Sequence, residues 1–166
     1  MKKIVVIIFC LMILFFAITG CYGKIEGTQG LLETARTEIP IANADDIQLE
    51  IVGSAISGER ELFWFVSGNE NQEHSYFPIE FKRFENEKYS FVKSYIPNER
   101  ADGICTLLWN DGYCFSVDSP NCQYIVISDG SVNTKCIEVT SIPFVCFVDF
   151  IPQEYSFVDY DGNIIE

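Results

Sequence analysis

The chain has 166 residues, 24 of them acidic and 11 basic, for a formal net charge of −13. No basic patch or stripe offsets the acidity, which excludes nucleic acid as a partner, because phosphate backbones would repel such a surface. Apolar residues make up 48% of the chain, enough to build a buried core. His74 is the single histidine, so every histidine-dependent mechanism rests on one side chain.

Lys2 and Lys3 open the chain, and residues 4–18 then form an unbroken apolar run of 15 that closes on Thr19, Gly20 and Cys21. A membrane-spanning helix needs about 20 apolar residues. The run is short for a span and fits an export signal. Small residues before a cut let the strand enter a peptidase cleft, and a cysteine stands directly after them. Residues 1–21 resemble the signal peptide and lipobox of bacterial lipoproteins, with an uncleaved N-terminal anchor as the alternative.

The resemblance implies cleavage before Cys21 and a diacylglyceryl thioether on that residue, with palmitate-type chains. It places the chain on the extracytoplasmic face of the cell membrane. Each buried CH₂ contributes about 0.8 kcal/mol, so one acyl chain binds reversibly and two hold stably. Cys10 leaves with the signal. Loss of Lys2 and Lys3 leaves nine basic residues against 24 acidic ones, a net charge near −15. Anionic headgroups are expected to hold such a domain off at the end of its tether.

The expected organisation is a signal peptide over 1–20, a lipidated tether over 21–45 and one β-domain over 46–166. Three glycines in 22–30 read as a flexible spacer. Residues 31–36 support one or two helical turns, stopped before Pro40.

From residue 47 onward the signal is strands. Residues 48–55 and 61–67 flank a turn at Ser57-Gly58-Glu59-Arg60. Residues 62–66 are apolar on both pleat faces, which predicts a central strand covered from both sides. A polar loop over 68–75 follows. Residues 76–84 and 88–96 form a hairpin turning at Glu85-Asn86-Glu87, with Pro78 confined to a bulge or an edge. A second loop covers 97–103.

Residues 104–109 and 113–117 flank Asn110-Asp111-Gly112, a strong hairpin signal. If Asp111-Gly112 is the turn, Trp109 lies opposite Cys114, which argues against a Cys105–Cys114 bridge. Residues 122–128 and 135–140 turn around Asp129-Gly130. Residues 144–150 are again nearly all apolar, and 155–159 turn through Asp161-Gly162 into Ile164 and Ile165. About ten short strands at this spacing predict an all-β fold. The expectation is an antiparallel β-sandwich of two sheets, of immunoglobulin-like kind, with a small closed β-barrel as the alternative.

Five cysteines remain beyond Cys21: Cys105, Cys114, Cys122, Cys136 and Cys146. Their gaps do not match zinc spacing. Export permits disulfides, and Cys122 with Cys136, flanking one hairpin, is the candidate pair. Reduced core thiols are the alternative.

Catalytic signals are absent. A Cys-His or Ser-His-Asp site would need His74, and no local signature surrounds it. Glu70, Glu73 and His74 carry ligand chemistry, but consecutive loop residues seldom converge on one ion. Residues 159–163 have their glycine fourth, not sixth as a calcium loop requires, so they read as a turn. No metal and no cofactor is implied. Trp109, Tyr113, Tyr76 and His74 are the candidate interaction residues, since aromatics near loops often anchor partners.

The expected function is therefore a non-catalytic, lipid-anchored module that contacts a protein or envelope component. A small-ligand or cation carrier is the alternative, and a hydrolase of unrecognised type stands third. Convergence of the loops after Val66 and Ile96 on one surface would favour binding.

Overall fold

The computed structural model describes residues 24–39, 48–68, 74–100, 103–131 and 134–165. Cys21 with its leader, Glu70 and Glu73 lie outside them. The described residues hold one helix and thirteen strands. In chain order these are β1 (Ile25–Glu26), α1 (Gly27–Glu38), β2 (Leu49–Ser57), β3 (Arg60–Ser67), β4 (Ser75–Phe84), β5 (Lys88–Ser94), β6 (Asn98–Glu99) and β7 (Ile104–Trp109). There follow β8 (Gly112–Val117), β9 (Tyr124–Ser128), β10 (Thr134–Glu138), β11 (Phe144–Val148), β12 (Glu154–Val158) and β13 (Ile164–Ile165).

The strands form three antiparallel sheets: β1-β5-β4-β3-β2 (sheet I), β11-β8-β7-β6 (sheet II) and β10-β9-β12-β13 (sheet III). The all-β antiparallel sandwich expected from the strand spacing is what forms. It has one sheet more than the two expected. Each sheet ends in two edge strands, so none closes on itself.

Alternation along each strand explains the stacking. In β3, Phe63 and Phe65 face one way and pack with Ile79, Phe81 and Tyr89 against Leu31, Ala35 and Ile39 of the α1 segment. Leu62 and Trp64 face the other way and meet Cys105, Leu107, Trp109 and Cys114 of sheet II. The far face of sheet II, with Ile104, Phe115, Val117 and Val148, packs on Ile125, Ile127 and Phe157 of sheet III. The layers thus run helix, sheet I, sheet II, sheet III. β3 is central and buried on both faces, as its apolar run predicts.

The expected spacer over 22–30 is corrected where the structure describes it. Ile25 and Glu26 pair with Tyr89 and Lys88 of β5, and α1 starts at Gly27, four residues before the expected helix. Glu26 makes no side-chain cap, so the helix draws its stability from burying Leu31 and Ala35 against sheet I. Among the described residues no helix is long and apolar enough to cross a membrane.

Turn chemistry fixes the hairpins. Gly58 takes a positive φ of 59° in the two-residue turn between β2 and β3. The β4–β5 hairpin turns through Glu85-Asn86-Glu87, as expected. Pro78 lies in interior strand β4, but its carbonyl accepts from Tyr95 N at the point where pairing with β5 has ended at Ile79↔Ser94. With no N–H, Pro78 cannot return that bond, so ladder pairing with β5 stops at this point.

The β7–β8 turn differs by one residue from the expected one. Asn110 and Asp111 both carry positive φ (49° and 59°) and form the turn, so Trp109 pairs with Gly112 and Leu107 with Cys114. Two left-handed central residues match the strand twist. Gly112 is held in the strand by a close approach: a Cβ there would lie 2.2 Å from the Val148 carbonyl oxygen and 2.5 Å from the Phe147 ring. Gly112→Ala must push β11 away, and overpacking of this kind costs about 1–3 kcal/mol. A lowered urea midpoint at unchanged slope checks this.

Candidate functional site

The two loops approach one another at Asp118, the residue that follows β8. His74 ends the first loop, and Tyr76 stands just inside β4. Gly103 ends the second loop, just before β7. The Tyr76 hydroxyl donates to Asp118 Oδ2 at 3.0 Å, and His74 Nδ1 stands 3.7 Å from the same oxygen. The Asp118 amide donates to the Gly103 carbonyl at 3.0 Å. Gly103 has φ 76°, and a Cβ there would meet the Tyr76 hydroxyl at 2.9 Å. Only glycine satisfies both constraints.

Electrostatics at this point favour an anchored carboxylate. Burial, then the charge of Asp118 and its hydrogen bond, push the Tyr76 phenol up and keep it a donor. The His74 side chain is 40% exposed and that of Asp118 20% exposed. What reaches solvent is an imidazole beside a carboxylate, braced from below by a buried phenol.

The four interaction candidates do not form one surface. His74 and Tyr76 come together, but Tyr76 is only 5% exposed and serves as a support. Trp109, expected to be partly exposed, is 2% exposed because Phe147 of β11 covers it edge-on at 5.2 Å between ring centres. Trp109 also lies at the opposite end of the β7–β8 hairpin, about six residues or ~20 Å of strand from Asp118.

Tyr113 belongs to a separate cluster between sheets II and III. The Tyr155 hydroxyl has Arg100 Nη2 at 3.2 Å, Tyr113 Oη at 3.2 Å and Thr106 Oγ1 at 3.5 Å around it. Burial opposes a Tyr155 phenolate. The contacts from Thr106, Tyr113 and Arg100 outweigh it and hold the phenol below its usual value. Burial is also the main cause that pushes Tyr113 up. Sequence reasoning missed Asp118, Tyr155, Thr106 and Arg100, none of which sits in a motif.

Three of the five thiols are poor nucleophiles. Burial pushes Cys105, Cys114 and Cys146 up to about 12, with the charges of Glu99 and Asp118 adding to it at Cys105. At neutral pH they remain protonated, and the thiolate is the reactive form. All five described cysteines are free. The expected Cys122–Cys136 bridge is corrected by the register: Cys136 pairs with Val126, four residues beyond Cys122. Cys122 is buried while Cys136 is exposed. A disulfide needs Cα atoms within about 7 Å.

Among the described residues no group of three or more His, Cys, Asp or Glu is placed to hold a metal ion. Residues 159–163 are a turn, as expected. The Asp159 carboxylate accepts from the Asp161 and Asn163 amides at 2.9 and 2.8 Å. Two open grooves are formed by described residues. One of about 800 Å³ is lined by Glu59, Glu61, Lys82, Arg83 and Tyr89, and one of about 630 Å³ by Arg100, Ser128, Glu154 and Tyr155.

Compared with known proteins, the chain matches no family model, no curated protein and no solved structure.

Proposed function

We propose that the chain is a lipid-anchored, extracytoplasmic β-domain that binds a protein or envelope component and performs no chemistry itself. The observation that carries this reading is the apolar run over 4–18 closing on Thr19-Gly20-Cys21. The fold supports it by presenting His74 and Asp118 at a point where two loops end. Support for a non-catalytic role comes from Cys105, the thiol that feels the Asp118 charge, which burial keeps protonated at neutral pH.

The approach of His74 Nδ1 to Asp118 Oδ2 favours cation capture as a second reading. Titration calorimetry with Zn²⁺ separates the two. Heat that disappears in Asp118→Asn supports capture, and no heat removes it.

In-cell photocrosslinking tests the binding reading. A benzophenone amino acid at position 74 should give one discrete adduct, and the same probe at the exposed Tyr160 should not. Asp118→Ala should abolish the position-74 adduct by releasing the support beneath it. An equal ladder from both positions would contradict a built contact site.

A further inference from the structure

One end of sheet I carries a groove that lies apart from the site at His74. It opens between the β2–β3 turn at Gly58 and Glu59 and the β4–β5 turn at Glu85 and Glu87, with a volume of about 800 Å³. Small-ligand sites span about 300–1,000 Å³. His74 stands just before the first residue of β4 and Arg83 next to its last, so groove and site lie at opposite ends of that strand.

Strand register puts Glu61, Arg83 and Tyr89 on one wall. Glu61 pairs with Phe81, and Arg83 with Tyr89. Partners share a face, and Phe81 and Arg83, two residues apart, share it as well. This is the face on which α1 packs over Phe63 and Phe81. Beyond Phe81 it turns from apolar to charged.

Glu61 is the decisive residue of this wall. It lines the groove yet is only 6% exposed, so its carboxylate is largely withdrawn from water. The Ser54 hydroxyl donates to its Oε1 at 2.8 Å. Burial, then the charge of Glu61, push the Tyr89 phenol up, and it stays a donor to that carboxylate. Both donors are neutral. Among the described residues no basic side chain forms a salt bridge with Glu61, and no acidic one with Arg83. A buried charge is costly unless an opposite charge offsets it. Arg83 is a diagonal neighbour of Glu61, at a spacing of about 7–8 Å that long side chains can bridge. The two heads still form no direct pair.

The remaining charges define what fits between them. Four acids, Glu59, Glu61, Glu85 and Glu87, line the groove against Lys82 and Arg83. Lys82 pairs with Glu59 at 3.2 Å. Three acids are left against Arg83, an excess of two negative charges. A simple cation would leave Arg83 unmatched, and a simple anion would leave Glu61 so. A molecule with an ammonium and a carboxylate close together matches both. A second cation on it offsets Glu85 and Glu87 at the turn.

We infer that this groove binds a free amino acid with a basic side chain. Glu61 takes the α-ammonium, and Arg83 takes the carboxylate, to which its planar fork donates two parallel bonds. The acids of the β4–β5 turn take the side-chain cation. Phe84 and Tyr89 give the methylene stem an apolar wall. The assignment goes beyond the partner-contact role proposed above and stands without the lipid anchor.

Titration calorimetry on the full-length chain tests it with L-lysine, Nα-acetyl-lysine, cadaverine (lysine without its carboxylate) and L-glutamate. L-Lysine should give saturable heat at one site per chain. Each other probe should bind at least about tenfold more weakly. Glu61→Gln keeps an acceptor for Ser54 and Tyr89, and should weaken L-lysine by about tenfold or more. Arg83→Gln, at an exposed residue, should bring L-lysine and cadaverine level, because only the carboxylate contact is lost.

No saturable heat with L-lysine overturns the site. Wild-type affinity for any other probe equal to that for L-lysine overturns the amino-acid assignment. L-Lysine binding unchanged in Arg83→Gln or in Glu61→Gln does the same. If urea unfolding shows that Glu61→Gln does not fold, the Arg83→Gln comparison decides alone.

Discussion

Trp64→Ala should lower unfolding free energy by about 3–5 kcal/mol, the cost of removing a large buried aromatic side chain. Trp64 is fully buried at the centre of β3, an interior strand of sheet I covered on both faces. Its ring fills the space between sheets I and II beside Ala55, Leu107 and Cys114. Its indole N–H donates to Cys114 Sγ at 3.3 Å. Small domains are stable by only about 5–15 kcal/mol, so the variant should lose a large share of its stability. Trp64→Phe separates the two contributions: it keeps most of the volume and loses the N–H donor, at about 1 kcal/mol. Urea unfolding of both variants checks the order. A loss under about 1 kcal/mol for Trp64→Ala would mean the sheets are not packed through this residue.

Stability should also fall steeply above pH 9. Cys105, Cys114 and Cys146 are pushed from 9.0 up to about 12, chiefly by burial. Below pH 9 these thiols are protonated in folded and unfolded chains alike, and their contribution is fully present. Above it the unfolded chain gives up three protons that the folded chain retains, so raising the pH favours unfolding. Each thiol loses about 1.4 kcal/mol per pH unit in this window. Three of them take roughly 4 kcal/mol by pH 10. Tyr76 and Tyr95, also pushed up mainly by burial, add to the loss above pH 10. Tyr155 is pulled down and opposes it, but as a single group. Urea midpoints at pH 8 and pH 10 read the effect directly, and alanine at all three cysteines should flatten it. A wild-type midpoint unchanged between those pH values would contradict the burial of the thiols.

Much of the strand order was readable because it depends on local chemistry. Gly58, Glu85-Asn86-Glu87 and Asp161-Gly162 announce their turns, and the two-faced apolar run of β3 announces a central strand. The third sheet was not readable. Strands β9, β10 and β12 show the same alternation as any hairpin, and the sheet they join depends on which distant face Phe157 and Ile125 meet. The start of α1 was hidden for the opposite reason. Gly27, Thr28 and Gly30 are weak helix formers, and only burial of Leu31 and Ala35 by remote Phe63 and Phe81 makes the helix form.

The candidate site divides in the same way. His74 is visible as the one imidazole in the chain. Asp118 lies 44 positions away and is one acid among 24, with nothing local to distinguish it. Trp109 reads as exposed from its place beside a turn, but Phe147 from a separate strand covers it. Residues placed by partners about 40 positions distant were the ones missed, as with Asp118 beneath Tyr76 and Tyr155 beside Tyr113.

The central claim is that a single acylated sulfur holds this strand-built body on the outside of a membrane. Growing cells on radioactive palmitate and fractionating wild type beside Cys21→Ser tests it most directly. The account predicts label and membrane retention in the wild type, and loss of both in the variant. Equal label and equal membrane retention in the two proteins would contradict it.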